Sequence, residues 1–128
     1  MANINAKNLT IVVGGPLTTS RIAHLIKILE IGRRLFSKIT IVHEGNSPII
    51  ILKNKKIEVI CTGVPDVRAG MPLPLRIVGY LVQEFKKFEK ILRKVDENNI
   101  ALFLGIYQPI SLLSVKIRRC TSMIFGGG

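Results

Sequence analysis

The sequence is poor in the residues that most often announce a chemistry. Only two cysteines, Cys61 and Cys120, occur in 128 residues, each in or beside an apolar stretch. Two such residues argue against a disulfide framework or a thiolate metal site and read as buried structural thiols. Histidines are equally few, His24 and His43, and neither sits in a Cys or Asp/Glu pattern of ligand spacing, so no metal is expected. Aromatic residues make up 5% of the chain and no basic-aromatic patch is interleaved, which disfavours nucleic acid as a partner. No apolar run approaches the ~20 residues of a membrane span. The N-terminal MANINAKN lacks the apolar core of a signal peptide, so a cytoplasmic location is expected.

Whole motifs are missing too. The dinucleotide fingerprint needs a third glycine at a fixed offset and the P-loop needs Gly-Lys-Ser/Thr; neither occurs. No two carboxylates stand at a convincing catalytic spacing, and no Ser-His-Asp or Cys-His set can be assembled. No catalytic residue is therefore assigned, and no cofactor is expected.

Acidic residues are the other scarce class: 8 against 19 lysines and arginines, a formal net charge of +11. Such a balance suits an anionic partner, whether nucleic acid, an anionic membrane surface or a phosphorylated substrate, and charge alone does not choose. Apolar residues reach 48%, enough for a core, and the length suits a single domain over residues 1–128.

The organising stretch is LTIVVGGPLTTSR, residues 9–21. The apolar run Leu9 to Val13 has the character of a buried parallel strand. It enters Gly14, Gly15 and Pro16, and a Thr-Thr-Ser cluster then supplies a helix N-cap. Glycine lets the backbone approach another group closely, and the free N–H groups and dipole of a helix start favour a polar or anionic ligand. Gly14, Gly15 and Pro16 are thus the leading substrate-binding candidates, with a tight turn bearing no ligand as the alternative. Arg21 and His24, three apart on the following helix, could point to the same place, or His24 is a solvated or partly buried structural residue.

Strand and helix alternate through the rest of the chain. A helix is expected over Thr19 to Leu35, with Ile22, Leu25, Ile26, Leu29 and Leu35 at helical spacing and Gly32 marking close packing or an early end. A strand at Lys38–His43 ends in a breaker, Glu44 to Pro48. Ile49–Leu52 and Ile57–Cys61 read as a hairpin or a strand pair near a sheet edge. Residues 62–74 form the longest loop, in which Asp66 and Arg68 could reach a substrate or simply be solvated. A helix follows over Leu75 to Glu97. Its sheet-facing side is expected to be Leu75, Val78, Val82, Phe85, Leu92 and Val95, and its solvated side Lys86, Lys87, Lys90, Arg93 and Lys94. That basic side could rest on anionic lipid, although insertion would need Phe85 and Phe88, and Phe85 is expected to face the sheet.

The last unit is a strand at Ile100–Gly105, a turn through Tyr107 and Gln108, a helix over Ile110–Arg119 opened by Pro109, and a strand at Thr121–Phe125 running into Gly126. The alternation requires crossovers. The fold class is therefore α/β: a three-layer, mostly parallel Rossmann-like sheet with helices on both faces. In such sheets ligands bind beyond the carboxyl ends of the strands. That edge would gather Gly14, Gly15, Tyr107, Gln108 and Gly126. Tyr107 and Gln108 suit sugar or nucleotide recognition, or are two solvated turn residues; Gly126 lines a cleft or begins a flexible tail.

The segments IVVGGP, KITIVHEG and IALFLGIYQPISLLSVKIRRCTSMIFGGG together resemble the N-terminal domain of GT-B glycosyltransferases of the family 4-like group 1 kind. That resemblance implies an acceptor-side domain. A second Rossmann-like domain, absent here, would bind the nucleotide-sugar, and the cleft between the two would be the active site. It further implies that Gly14 and Gly15 contact the acceptor or donor phosphates through backbone N–H groups. The chain departs from the family where many members carry a histidine after the last strand: Gly126 and Gly127 stand there. Sugar transfer would then need a donor-binding domain, either on a second subunit or on a longer chain of which this is a fragment, with a nucleotide-sugar and a glycan or lipid acceptor, at a cytoplasmic or peripheral inner-membrane location. The alternative is a non-catalytic α/β binding domain, flavodoxin-like, acting through its basic surface on an anionic membrane or a phosphorylated ligand.

Overall fold

The computed structural model describes residues 8–15, 19–44, 57–63 and 72–126. Its elements are β1 (Asn8–Gly14), α1 (Thr19–Leu35), β2 (Lys38–His43), β3 (Ile57–Cys61), α2 (Leu73–Lys94), β4 (Asn99–Gly105), α3 (Pro109–Ile117) and β5 (Thr121–Gly126). All five strands are parallel and lie in the order β3-β2-β1-β4-β5. The expected three-layer α/β architecture is what forms. The apolar run of β1 is buried on both faces, as the centre of a parallel sheet requires. Ile11 and Val13 point to one core with Leu25 and Leu29 of α1, while Val12 points to the other with Ile91 of α2 and Val115 of α3.

Helix α1 buries a narrower stripe than its sequence suggests. Leu25, Leu29 and Gly32 are buried, whereas Ile26 and Leu35 are exposed. Gly32 marks close packing. A Cβ there would lie 3.2 Å from Leu9 Cδ2 and 3.3 Å from Ile39 Cδ1, so its absence lets the helix settle on β1 and β2. At the sheet edge β3 pairs with β2, in parallel. The hairpin partner expected at residues 49–52 lies outside the described residues, as do Asp66 and Arg68. Cys61, expected to be buried, is exposed on this edge strand.

The large correction concerns α2. The side turned to the protein carries Gln83, Glu84, Lys87 and Ile91, all buried. Leu75, Val78, Val82 and Phe85 are exposed, Phe85 at 60%, and Lys87, expected in solvent, is fully buried. Length explains the inversion. A helix of 22 residues spans about 33 Å, against about 23 Å for a seven-residue strand. The C-terminal turns, with Ile91 and the capping Val95, cover the apolar sheet. The N-terminal turns overhang the carboxyl edge, where the surface beneath is made of strand-end carbonyls and turn residues. A polar inner side suits that surface. The helix stops at Lys94, three residues early, because Val95 turns to an extended conformation, and Asp96 and Asn99 form a side-chain-bonded turn behind it.

The two thiols are thereby distinguished. Burial, with Asp96 nearby, pushes the half-buried Cys120 thiol up to about 11, which leaves little nucleophilic thiolate near neutral pH. Iodoacetamide at mildly alkaline pH should alkylate Cys61 at least about tenfold faster than Cys120, read by peptide mass mapping. Equal rates would contradict the burial of Cys120.

Candidate functional site

The strand order places the reversal between β1 and β4, since the chain builds outward to β3 and then returns to the other side of β1. At the carboxyl edge the register aligns three glycines across the sheet: Gly14 opposite Gly105, and Gly105 opposite Gly126. Gly105 has φ +97°, and a Cβ on it would fall 2.2 Å from the Gly14 carbonyl oxygen. Only glycine allows these strand ends to come so close. The Gly14 carbonyl then accepts from Ile106 N at 3.3 Å and from Arg21 Nη1 at 3.0 Å. Arg21 is thus a brace for the turn. His24 is exposed on α1, and Pro16 lies outside the described residues.

Gln108 is turned inward. Its Nε2 donates to the carbonyls of Val12 and Leu104, each at 3.1 Å, and so stitches β1 to β4 just below their ends. A Cβ on Gly14 would strike Gln108 Cγ and Cδ at 2.7 Å, so the first glycine of the turn makes room for this side chain. Gln108 Oε1 accepts from Lys87 Nζ at 2.5 Å. The same ammonium donates to Glu44 Oε2 and Glu84 Oε2, both at 2.8 Å, which uses its three protons. Glu84 in turn accepts from Ile110 N, Ser111 N and Ser111 Oγ at 3.0–3.2 Å, capping α3 with a carboxylate supplied by α2. One residue earlier, Gln83 Oε1 accepts from Thr62 Oγ1 beyond β3. The overhang of α2 is therefore tied to the ends of β2, β3 and β4 at once.

Above this sealed floor the edge is open. Ile106 and Tyr107 are exposed, and the Tyr107 carbonyl accepts from Tyr80 Oη at 2.9 Å. Burial, followed by the nearby Glu84 and Glu44 charges, raises the Tyr80 pKa, so it remains a donor across the ordinary pH range. A cavity of about 160 Å³ opens between β4, β5 and α3, lined by Phe103, Gly105, Ile106, Tyr107, Gln108, Leu112 and Ile124. Its walls are mostly apolar, and the Gln108 carboxamide that borders it is already bonded to Val12, Leu104 and Lys87. The cavity admits a ring or the apolar face of a sugar, and falls short of the about 300–1,000 Å³ of a complete small-molecule pocket. Among the described residues no three His, Cys, Asp or Glu side chains gather as a metal would require.

No family model and no curated protein matches the chain. Solved structures do. The chain is similar to the C-terminal domain (residues 83–215) of the PF1911 hydrogenase from Pyrococcus furiosus, with a TM-score of 0.65 at 15% identity over 98% of this chain and 96% of that one. A second crystal structure of that domain (residues 78–226) gives 0.63 at 17% identity, over 97% and 92%. The likeness is one of fold.

From sequence alone Lys87 falls on the solvated side of the helix and Glu44 in a breaker, and Gln83 and Glu84 are not singled out. One signal was there: Glu84, Lys87, Ile91 and Val95 recur at steps of three and four, a second stripe that competes with the more apolar one. Replacing Lys87 by methionine would leave Glu44 and Glu84 buried without their cation. Unfolding by urea should then show a loss of about 3–5 kcal/mol. A loss below about 1 kcal/mol would place the pair among solvated surface bridges.

Proposed function

We propose that the chain is the acceptor-side domain of a GT-B type glycosyltransferase, which takes part in transfer from a nucleotide-sugar together with a donor-binding domain or subunit. The observation that carries this reading is a half-built cleft. The carboxyl edge at the β1/β4 reversal has a hydrogen-bonded floor and one apolar wall at Ile106 and Tyr107, and beside it, between β4, β5 and α3, lies a cavity too small to enclose a ligand. Such an edge presents backbone groups and a ring-sized recess to one face of a ligand and requires a second body for the other. Two of the three segments that carry the resemblance, the end of β1 and the β4–α3–β5 unit, meet at this edge.

In this reading Tyr107 stacks on a sugar or ring, the exposed start of α1 offers N–H groups to polar or phosphate oxygens, and Arg21, packed against the buried Gly15, holds the turn beside it. Gln108 acts from below, by fixing the strand ends. The donor-side chemistry belongs to the donor-binding domain or subunit.

The test is an NMR titration of the isotope-labelled chain with a panel of nucleotide-sugars, free sugars and polyprenyl-phosphate analogues. Amide shifts should concentrate at Gly14, Gly15, Gly105, Ile106 and Tyr107. Tyr107→Ala should weaken binding by about tenfold, the order expected for one lost aromatic contact. No shifts at this edge with any member of the panel would overturn the reading.

A further inference from the structure

The inward turn of the polar side of α2 leaves its apolar side facing solvent. Leu75, Val78, Val82 and Phe85 are each 38–60% exposed, at helical steps of three, four and three. They form a continuous stripe about 15 Å long. At 100° per residue, Lys86, Lys90 and Arg93 fall along one flank of this stripe. Below Phe85 the stripe continues into an open groove between α2 and the end of α3, lined by Phe88, Glu89, Leu92, Arg93 and Arg118, where Glu89 pairs with Arg93 at 3.6 Å and leaves Lys86, Lys90 and Arg118 to carry the positive charge. An apolar stripe with a cationic flank, on a helix no longer than its own domain, is the form of a segment that lies in a bilayer interface.

The geometry points to α2 as an in-plane docking helix for an anionic membrane surface, with Val78, Val82 and Phe85 entering the acyl boundary and Lys86 and Lys90 at the headgroups. Charge selects this occupant. A second copy of the chain would bring +11 against +11, whereas an anionic leaflet attracts each cation near it. Among the described residues no helix is long and apolar enough to cross a membrane. The inference uses residues apart from the carboxyl-edge site and holds whether or not that site binds sugar.

The chain has no tryptophan, which allows a direct readout. A Phe85→Trp variant is titrated with vesicles of phosphatidylcholine alone and of phosphatidylcholine mixed with phosphatidylglycerol. Its emission should shift to the blue on the mixed vesicles only. In vesicle sedimentation, Val82→Ser/Phe85→Ser should lower the apparent affinity for mixed vesicles at least tenfold, with an unchanged circular dichroism spectrum because both side chains are exposed. Lys86→Glu/Lys90→Glu should do likewise, and added salt should weaken binding of the parent chain. No sedimentation with either vesicle would overturn the inference. So would binding that the serine variant retains in full, or a dimer in solution that the serine variant dissolves.

Discussion

The ammonium group of Lys87 is the constraint on which the upper half of this molecule depends. It lies where the carboxyl ends of β1, β2 and β4 meet the overhang of α2, and its three protons go to Glu44, Glu84 and Gln108. Each acceptor performs a second task. Glu84 caps α3, and Gln108 stitches β1 to β4. A buried cation between two carboxylates earns little net stability, because desolvation offsets most of the attraction, but it tolerates few alternative arrangements. Its effect is positional: it fixes the height of α2 above the sheet edge and the course of the β4–α3 turn.

Two surfaces follow from that position. Inside, the strand ends are sealed from below, Gly14, Gly105 and Gly126 stand in register with Gly14 itself buried, and Ile106 and Tyr107 stand exposed beside them. Outside, a helix that spends its polar residues inward has only apolar ones left to expose, with cations beside them. The functional readings of the carboxyl edge and of the outer face of α2 are thus two consequences of one buried cluster.

The architecture was legible because each strand is a short apolar run bounded by breakers, and alternation with helices leaves a parallel sheet as the outcome. The glycine turn after β1 was legible as a special place, though its glycines do different work: Gly14 makes room for Gln108, and Gly15 takes a left-handed backbone. The facing of α2 was not legible. Periodicity marks two stripes on that helix, and hydrophobicity favours the one that ends up outside. What decides between them is the tertiary fact that half of the helix lies over strand ends rather than over the sheet. That fact depends on where Glu44, Thr62 and Gln108 come together in space, and these lie up to 64 residues apart in sequence. Gln108 shows the same limit: its type suited ligand recognition, and its burial assigns it to the scaffold.

The most direct test of this account is side-chain NMR of the lysine ammonium groups in the isotope-labelled chain at neutral pH and room temperature. Lysine ammonium protons in contact with water exchange too fast to be seen under those conditions, whereas one held in three buried hydrogen bonds is protected. The account predicts a Lys87 ammonium signal that persists and is lost in Lys87→Met. A spectrum in which the Lys87 protons exchange as fast as those of the surface lysines would contradict it.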